Sequence, residues 1–168
     1  MQFLCLLASF ASAFLIPTTT VSARNNVLPP PQFEPLFVAT LSIQSIQNLT
    51  GPLGTRVHSV TGVGNLTNAT TGELVGTILE NHDNGIIGED IFFSSVVLPV
   101  IWAVDQKFAS ISATGVGISG ETSMSYLHLE TDSPTWSSLN GRFLISTLSF
   151  TGSDQTSSTI YGEVLDHY

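Results

Sequence analysis

The fold of this chain is decided by Gly54-Thr-Arg-Val-His-Ser-Val-Thr-Gly-Val-Gly64, which is followed after a short loop by Gly72-Glu-Leu-Val-Gly-Thr-Ile-Leu79. Both segments are rich in Val, Thr and Ile, so they predict two β-strands joined by a polar turn. Glycines recur inside these strands, at Gly62, Gly64 and Gly76. Because glycine weakens an ordinary strand, the repetition indicates bends or bulges where a sheet curls sharply. A small closed barrel requires such curvature, and the two strands are predicted to form one wall of it.

Strand-like patterns continue on both sides of this pair. The run from residue 91 to 104 is predicted as one long strand, or as two strands bent at Pro99, because proline favours a sheet edge or a bulge. Residues 48–54 and 80–85 are predicted to be a turn and a polar loop tip. The predicted strands cover residues 36–46, 55–64, 72–80, 91–104, 108–119, 122–130, 142–150 and 157–166.

No stretch shows sustained apolar periodicity of 3.6 residues, so helices are not expected. Strands at this spacing are typical of sandwiches and barrels, and closure removes the exposed sheet edges that favour aggregation. The sequence therefore predicts an all-β fold, a single small antiparallel β-barrel of about eight strands.

The chain divides into three predicted regions. Residues 1–23 are expected to be a signal peptide, because an apolar run from Phe3 to Ile16 precedes small residues at a signal-peptidase spacing. Cleavage is placed after Ala23, with Ala13 as the second choice. Residues 24–35 are rich in proline and are expected to form an extended lead-in. Residues 36–168 form the barrel domain.

The predicted compartment is outside the cell or in the lumen of the secretory pathway. Three Asn-x-Ser/Thr sequons support this prediction and indicate surface turns, at Asn48, Asn65 and Asn68. The only cysteine, Cys5, lies inside the predicted signal, so no disulfide is expected in the mature chain. No second run of 18 apolar residues predicts a membrane span.

Composition excludes one large class of partner. The chain carries four Lys+Arg against thirteen Asp+Glu, a formal net charge of −9. Binding to nucleic acid requires clustered cations, so nucleic acid is not an expected partner. The expected partner is a hydrophobic small molecule, and the sequence leaves a homodimer open.

Two segments resemble a family of small, uncharacterised β-barrel proteins from bacteria and fungi, grouped as a domain of unknown function. One is the series Gly54-x-Arg56, Thr61-Gly62 and Gly72-x-Leu74-x-Gly76-Thr77. The other is Leu129-Glu-Thr-Asp-Ser-Pro-Thr-Trp-Ser-Ser-Leu-Asn140, in which Ser138 stands where the family has tryptophan. The resemblance implies a lipocalin-like barrel and little about function. It does not extend over residues 91–118, so family site residues are not carried across that part.

In overall build, the chain is also similar to small secreted fungal proteins of tropolone–sesquiterpenoid pathways. That resemblance implies a cofactor-independent pericyclase of secondary metabolism, which promotes an intermolecular hetero-Diels–Alder cycloaddition between a quinone-methide-like diene and a terpene alkene to give a meroterpenoid. The alternative is a non-catalytic secreted carrier or effector that binds a hydrophobic small molecule. A third alternative is a surface protein whose barrel is fully packed.

The candidate catalytic residues form two pairs on strands. Arg56 and His58 share one strand face, because strand side chains alternate, and could hold a carbonyl or enolate oxygen inside the barrel. Tyr126 and His128 share a face on a later strand, and His128 is the expected acid or base. Each pair has a structural alternative, an outward polar face, and Arg56 could instead pair with a carboxylate.

The candidate ligand-binding residues are Trp102, Met124 and Trp136. Met124 would form a pliable apolar wall, and the two tryptophans could stack on a planar ligand, although single tryptophans are commonly core residues. No metal and no cofactor are expected, because His82 with Asp83 supplies too few ligands for a metal site. No nucleophile elbow, dinucleotide fingerprint or phosphate loop is present.

Overall fold

The computed structural model describes residues 30–164, so the predicted signal peptide, 1–23, lies outside the described residues. A single short 3-10 helix, Ser137–Gly141, occurs among the described residues, and no helix there is long and apolar enough to cross a membrane. The strands are β1 Phe33–Gly51, β2 Gly54–Thr61, β3 Gly64–Asn68, β4 Leu74–Ile78, β5 Asn81–Gly88, β6 Ile91–Trp102, β7 Phe108–Ile118, β8 Thr122–Thr131, β9 Leu144–Phe150 and β10 Gln155–Glu163.

The strands form one antiparallel sheet that closes into a ring, which confirms the predicted all-β barrel. The order around the sheet is β10-β9-β8-β7-β6-β4-β3-β1-β2-β5, with further pairings of β10 with β1 and of β6 with β5. Closure between first and last strands runs from Phe33, opposite Glu163, to Ser42, opposite Gln155. Eight strands stand around the barrel at its closed end, because β2 with β3, and β4 with β5, are two long strands that are each interrupted.

The interruptions of these two strands lie at one level of the sheet and define a crease. Residues 62–63 separate β2 from β3, and residues 79–80 separate β4 from β5. At the same level, β1 changes register between Ile43 and Ser45. A Cβ atom on Gly62 would lie only 2.7 Å from Nε2 of Gln44, so glycine permits the close approach of β1 and β2. The repeated glycines predicted a bend in this wall, and the bend lies at the crease.

The crease also explains one prediction that was wrong and the position of Pro99. Residues 81–88 form β5, paired with β2 and β6, and the loop tip predicted at 80–85 is absent. Pro99 lies within one continuous strand without a bulge, so of the two alternatives for this run the single long strand is correct. Proline is tolerated because the neighbour of β6 changes there from β5 to β4, and the Pro99 carbonyl still accepts a hydrogen bond from the N–H of Leu79 at 2.8 Å.

Strand β1 is longer than predicted at both ends. It begins at Phe33 and not at residue 36, and it continues through Asn48 to Gly51, where a turn had been expected. The alternation of apolar residues marked its buried part correctly, because Phe37 and Ala39 are both 2% exposed. Beyond this part residues 41–43 are partly buried and residues 44–51 are exposed, so burial no longer marks the strand.

The core fills the closed end of the barrel, which we call the Trp end. Trp102 is fully buried and its indole packs against Phe37 and Trp136, with ring centroids 5.8 and 5.0 Å away. The segment after β8 covers this end, and its 3-10 helix contributes the buried Leu139. The remaining core residues are apolar and come from β3, β4 and β6–β10: Leu66, Ile78, Leu98, Val100, Ala109, Ile111, Ala113, Leu127, Leu129, Leu144 and Ile160.

One ionisable side chain points inward from β5. Asp83 pairs across the sheet with Ser59, whose side chain is buried. Burial raises the pKa of the Asp83 carboxyl from 3.8 to about 6, while a hydrogen bond from the backbone N–H of Asn84 opposes the shift. Its Oδ1 atom makes no hydrogen bond. A carboxylate in this position lowers stability when it is ionised, because little compensates for its lost hydration.

We expect Asp83→Asn to stabilise the protein only at neutral and higher pH. The folded protein binds this proton more tightly than the unfolded chain, so the penalty begins as pH rises above 3.8 and is complete above about 6. At pH 8 the variant should have a free energy of unfolding on the order of 2 kcal/mol higher than the parent. Near pH 4 the difference should nearly vanish.

Urea denaturation at pH 4 and pH 8 measures this effect, with the exposed Asp90→Asn as the matched control. A gain for Asp83→Asn that is equal at both pH values, or a gain of the same size in the control, would contradict the prediction.

Candidate functional site

The strand register places Arg56 and His58 on the outer face of the barrel. Ser59 and Thr61 of β2 are buried and point inward, so the alternating Arg56 and His58 point outward. Arg56 is exposed and His58 is half-buried. The prediction that both share one face is correct, whereas the prediction that they point into the barrel is wrong.

The outer face carries a groove of about 580 Å³ beside these two residues. It lies above the crease, where β1, β2, β5, β6 and β7 run side by side. We call it the first groove. Most of its lining residues form two cross-strand rows, Gln47-His58-Asn84-Ser95-Thr114 and Leu49-Arg56-Ile86-Phe93. Asn48, Val57, Gly85 and Ser94 complete the lining.

The polar groups of the first groove are basic or neutral. Its lining includes Arg56 and His58 but no aspartate or glutamate, although the chain as a whole carries a net charge of −9. Arg56 makes no hydrogen bond or ion pair with the described residues. Its five N–H donors are therefore available to an oxygen atom of a ligand. The alternative interpretation of Arg56, an ion pair with a carboxylate, is not found among residues 30–164.

His58 is held in place by two contacts. Its Nδ1 lies 2.8 Å from Oδ1 of Asn84, the residue opposite it on β5. Since an amide oxygen can only accept, Nδ1 is the donor of this hydrogen bond, and in the neutral ring Nε2 is then the acceptor. The His58 ring also stacks on the ring of His82, with centroids 5.1 Å apart and 16° between planes. The groove therefore contains a fixed imidazole beside an unpaired guanidinium.

A second groove of about 330 Å³ adjoins the first. Met124 and Tyr126 line it together with Val116 and Ile145 on neighbouring strands, so its walls are largely apolar. Both side chains are about half exposed and alternate with the buried Leu127, so they also point outward. The two grooves meet at Thr114, which lines both.

His128 lies outside both grooves. It belongs to the outer face of β8, and its Nε2 is 3.0 Å from Oε1 of Glu130 on the same strand. Half of its side-chain surface is exposed, so the expected position inside the barrel is wrong for this residue as well. The structure separates His128 from Arg56 and His58, and the pair predicted with Tyr126 is not a single site.

The two tryptophans belong to the Trp end and line neither groove. Trp102 is 0% exposed, and its indole N–H donates to Oγ1 of Thr131 at 2.8 Å. Trp136 packs on Phe37 and Trp102. The predicted stacking of Trp102 on a ligand is wrong for this position, because the ring has no surface to offer; the core alternative describes both residues.

The three sequons lie on strands and not in the turns that were predicted. Asn48 is on β1 and Asn65 on β3, and both are exposed. Asn68 ends β3, and its Oδ1 accepts hydrogen bonds from the backbone N–H groups of Thr70 and Thr71 at 2.8 and 2.9 Å. This amide therefore shapes the hairpin turn between β3 and β4.

Sequence reasoning missed most of the groove lining. Gln47 lies between the predicted first strand, 36–46, and the predicted turn, 48–54, and Asn84 was assigned to a loop, so neither residue was given a strand face. Phe93 was assigned to a strand without a face. The signal that would have found them is the cross-strand register, because each lies in a row with Arg56 or His58. No group of three metal-ligating side chains occurs in the described part of the chain.

No model of a known protein family matches this sequence, and no curated protein sequence matches it. Solved structures do match. A protein of unknown function from Rhodopseudomonas palustris has a TM-score of 0.71 at 15% identity, over 81% of this chain and 99% of its own. A "beta-barrel like protein" from Acinetobacter baumannii has a TM-score of 0.68 at 17% identity, over 81% and 98%.

A third similar structure is an enzyme from the fungus Penicillium herquei. Its TM-score is 0.56 at 15% identity, over 79% of this chain and 96% of its own. At these identities the matches show the fold alone. They confirm that the chain is built like small β-barrel proteins of unknown function, and they include a fungal enzyme among proteins with this fold.

We expect Trp102→Ala to lower the free energy of unfolding by about 3–5 kcal/mol, because it leaves a cavity in a fully buried site and removes the hydrogen bond to Thr131. Leu53→Ala is the control, since Leu53 is 77% exposed in the β1–β2 turn and should change stability by less than about 0.5 kcal/mol. Urea denaturation measures both. A Trp102→Ala variant as stable as the parent would contradict the core assignment.

Proposed function

We propose that the two adjoining grooves bind two apolar partners and promote bond formation between them. The observation that carries the proposal is their contact at Thr114, with polar donors in one groove and mainly apolar walls in the other. A reaction between two molecules is accelerated when both are held at reacting distance, because the entropy cost of the encounter is met by binding.

The first groove suits the partner that bears an oxygen function. Arg56 is unpaired and can donate two hydrogen bonds to one carbonyl or enolate oxygen. Apolar side chains around it, such as Ile86 and Phe93, would contact the rest of that molecule. The second groove suits a hydrocarbon partner, because Val116, Met124 and Ile145 offer mainly dispersion contacts.

The reaction proposed in detail is an intermolecular hetero-Diels–Alder cycloaddition. The carbonyl oxygen and terminal carbon of a quinone-methide-like diene bond to the two carbons of a terpene alkene. One C–O and one C–C σ bond form, the C=O and C=C π bonds of the diene and the π bond of the alkene are consumed, and one new C=C bond forms within the former diene. No atom leaves and no electron or proton is gained overall. Arg56 would withdraw electron density from the diene oxygen and thereby increase its reactivity with the alkene.

His58 has a separate role in forming the diene from an alcohol precursor. That step loses water: the C–O bond to the hydroxyl group breaks, and the proton lost from the phenol O–H of the precursor is transferred through His58 to the leaving hydroxide, so one H2O forms and no proton is gained or lost overall. Because Asn84 fixes the proton on Nδ1, Nε2 of His58 is free to accept the phenol proton. Tyr126 borders the second groove and would orient the alkene partner.

The fold comparison supports this proposal only coarsely, through one fungal enzyme with the same barrel. We propose in addition that the chain acts in the secretory lumen or outside the cell, since the sequons at Asn48 and Asn65 are exposed. The second candidate function is a non-catalytic carrier or effector. The open position of both grooves on the outer face favours it, because a bound molecule would stay partly in contact with water.

Variants of the first groove test the assignment of donors. A diene analogue with a carbonyl group should bind Arg56→Ala about 10- to 100-fold more weakly than the parent, which corresponds to one lost charged hydrogen bond. Arg56→Lys should recover part of the affinity, since it keeps the charge but not the paired donors. His128→Ala should bind like the parent, because His128 lies outside both grooves. Calorimetric titration measures all four; equal affinities would exclude the first groove as the binding site.

Incubation with a diene precursor and a terpene alkene separates the two candidate functions. An enzyme should give the cycloadduct faster than the buffer reaction and with one stereochemistry, and Arg56→Ala should lose most of the rate increase. Saturable binding with the product ratio and stereochemistry of the uncatalysed reaction would overturn the catalytic proposal and leave the carrier.

A further inference from the structure

The second half of β1 has a free hydrogen-bonding edge. Between Phe33 and Ser42 the strand pairs with β10 along one side. From Ser45 to Gly51 it pairs with β2 alone, and no other described strand pairs with this part. An unpaired edge presents a row of backbone N–H and C=O groups that another strand can bind.

This edge lacks the features by which soluble proteins discourage strand addition. The segment from Ile43 to Gly51 contains no charged residue and no proline, although the chain carries a net charge of −9. Its bulge lies between Ile43 and Ser45, before the free part begins. Charged side chains, prolines and bulges are the usual protection of such edges, so this one remains competent to pair.

Apolar side chains flank the edge on both faces of the sheet. Ile46 lies opposite the inward-facing Ser59 and is still 55% exposed, because the barrel wall does not close beside it. Leu49 on the outer face is 68% exposed. A strand added to this edge would cover both side chains in addition to pairing the backbone.

We propose that two copies of this chain pair through this edge, antiparallel and across a twofold axis. An antiparallel edge is complementary to itself, because a twofold axis between two identical strands sets the donors of each against the acceptors of the other. The uncharged segments also let two acidic molecules meet without like charges at the contact. The paired surface is small, so the dimer forms in the micromolar range.

The pairing has two consequences for named residues. It places the first grooves of the two copies on the same side of one continuous sheet, with Gln47 and Leu49 at the junction. This consequence matters for function only if the proposed function is correct, but the dimer itself does not depend on that function. It also brings Asn48 to the middle of the contact. An N-glycan on Asn48 would occupy the space of the second copy, so the glycan-free protein is the form that pairs.

Sedimentation velocity on the full chain made without N-glycans tests the proposal, from about 1 to about 200 μM, the range in which small interfaces associate. Ile46→Lys places a charge on the edge, and Leu53→Lys places the same charge on the nearby turn, where Leu53 is 77% exposed. Both positions are exposed, and thermal unfolding checks that each variant folds.

The expected result is a concentration-dependent dimer for the parent and for Leu53→Lys, with dissociation raised at least 10-fold for Ile46→Lys. A parent that stays monomeric throughout, or two lysine variants that behave alike, would overturn the proposal. The readout is mass and involves no small molecule, so it is independent of whether the grooves catalyse or bind anything.

Discussion

The hydrogen bonding of β1 is the constraint on which the rest of the molecule depends. Its first half is held on both sides and closes the barrel against β10. Its second half is hydrogen-bonded on one side only, to β2, and this pair extends beyond the closed ring. The same strand therefore produces a packed end with a tryptophan core and an open end with a wall that is free to curve. The first groove lies on that wall.

The crease between the two ends allows one long hairpin to form part of the barrel wall at both ends. Residues 54–68 and 74–88 run antiparallel throughout, but they pair with different parts of β1 and β6 on either side of the interruption. Gly62 and Pro99 lie at this level. Gly62 permits the close approach of β1 and β2, and Pro99 is tolerated because β6 lacks a neighbouring strand on one side there. The glycine and the proline, which are unusual inside strands, are thus both explained by the geometry of a single bend.

Much of the fold could be predicted, because β-branched runs and glycine spacing are local properties. Residues 108–130 were correctly assigned to a hairpin, and Arg56 and His58 were correctly placed on one face. Which face points inward could not be obtained locally. The inward face is set by the register with neighbouring strands, and an error of one residue exchanges the two sets of side chains. Asn84 was missed for a different reason, because its polar surroundings predicted a loop and not a strand.

The segment that follows β8 shows how polar residues can act as connectors. Asn140 and Thr131 exchange two hydrogen bonds, Asn140 Oδ1 accepting from the Thr131 N–H at 2.8 Å and its Nδ2 donating to the Thr131 carbonyl at 3.0 Å. Ser133 donates to Asp105 at 2.6 Å. The segment resembled a family motif, and its residues have a structural explanation: they fasten the cover of the Trp end.

The ladder between β1 and β10 also determines the order in which the chain can reach its final shape. Residues 33 and 163 are neighbours in space but are separated by nearly the whole described sequence. Contacts of this kind form slowly, because the entropy cost of closing a long loop comes before any stabilising contact between the two strands. While the polypeptide is being synthesised, β1 has no β10 to accept it. The apolar residues of β1 that the barrel buries, such as Phe37, therefore stay without their partners on β10 until the last strand has been synthesised.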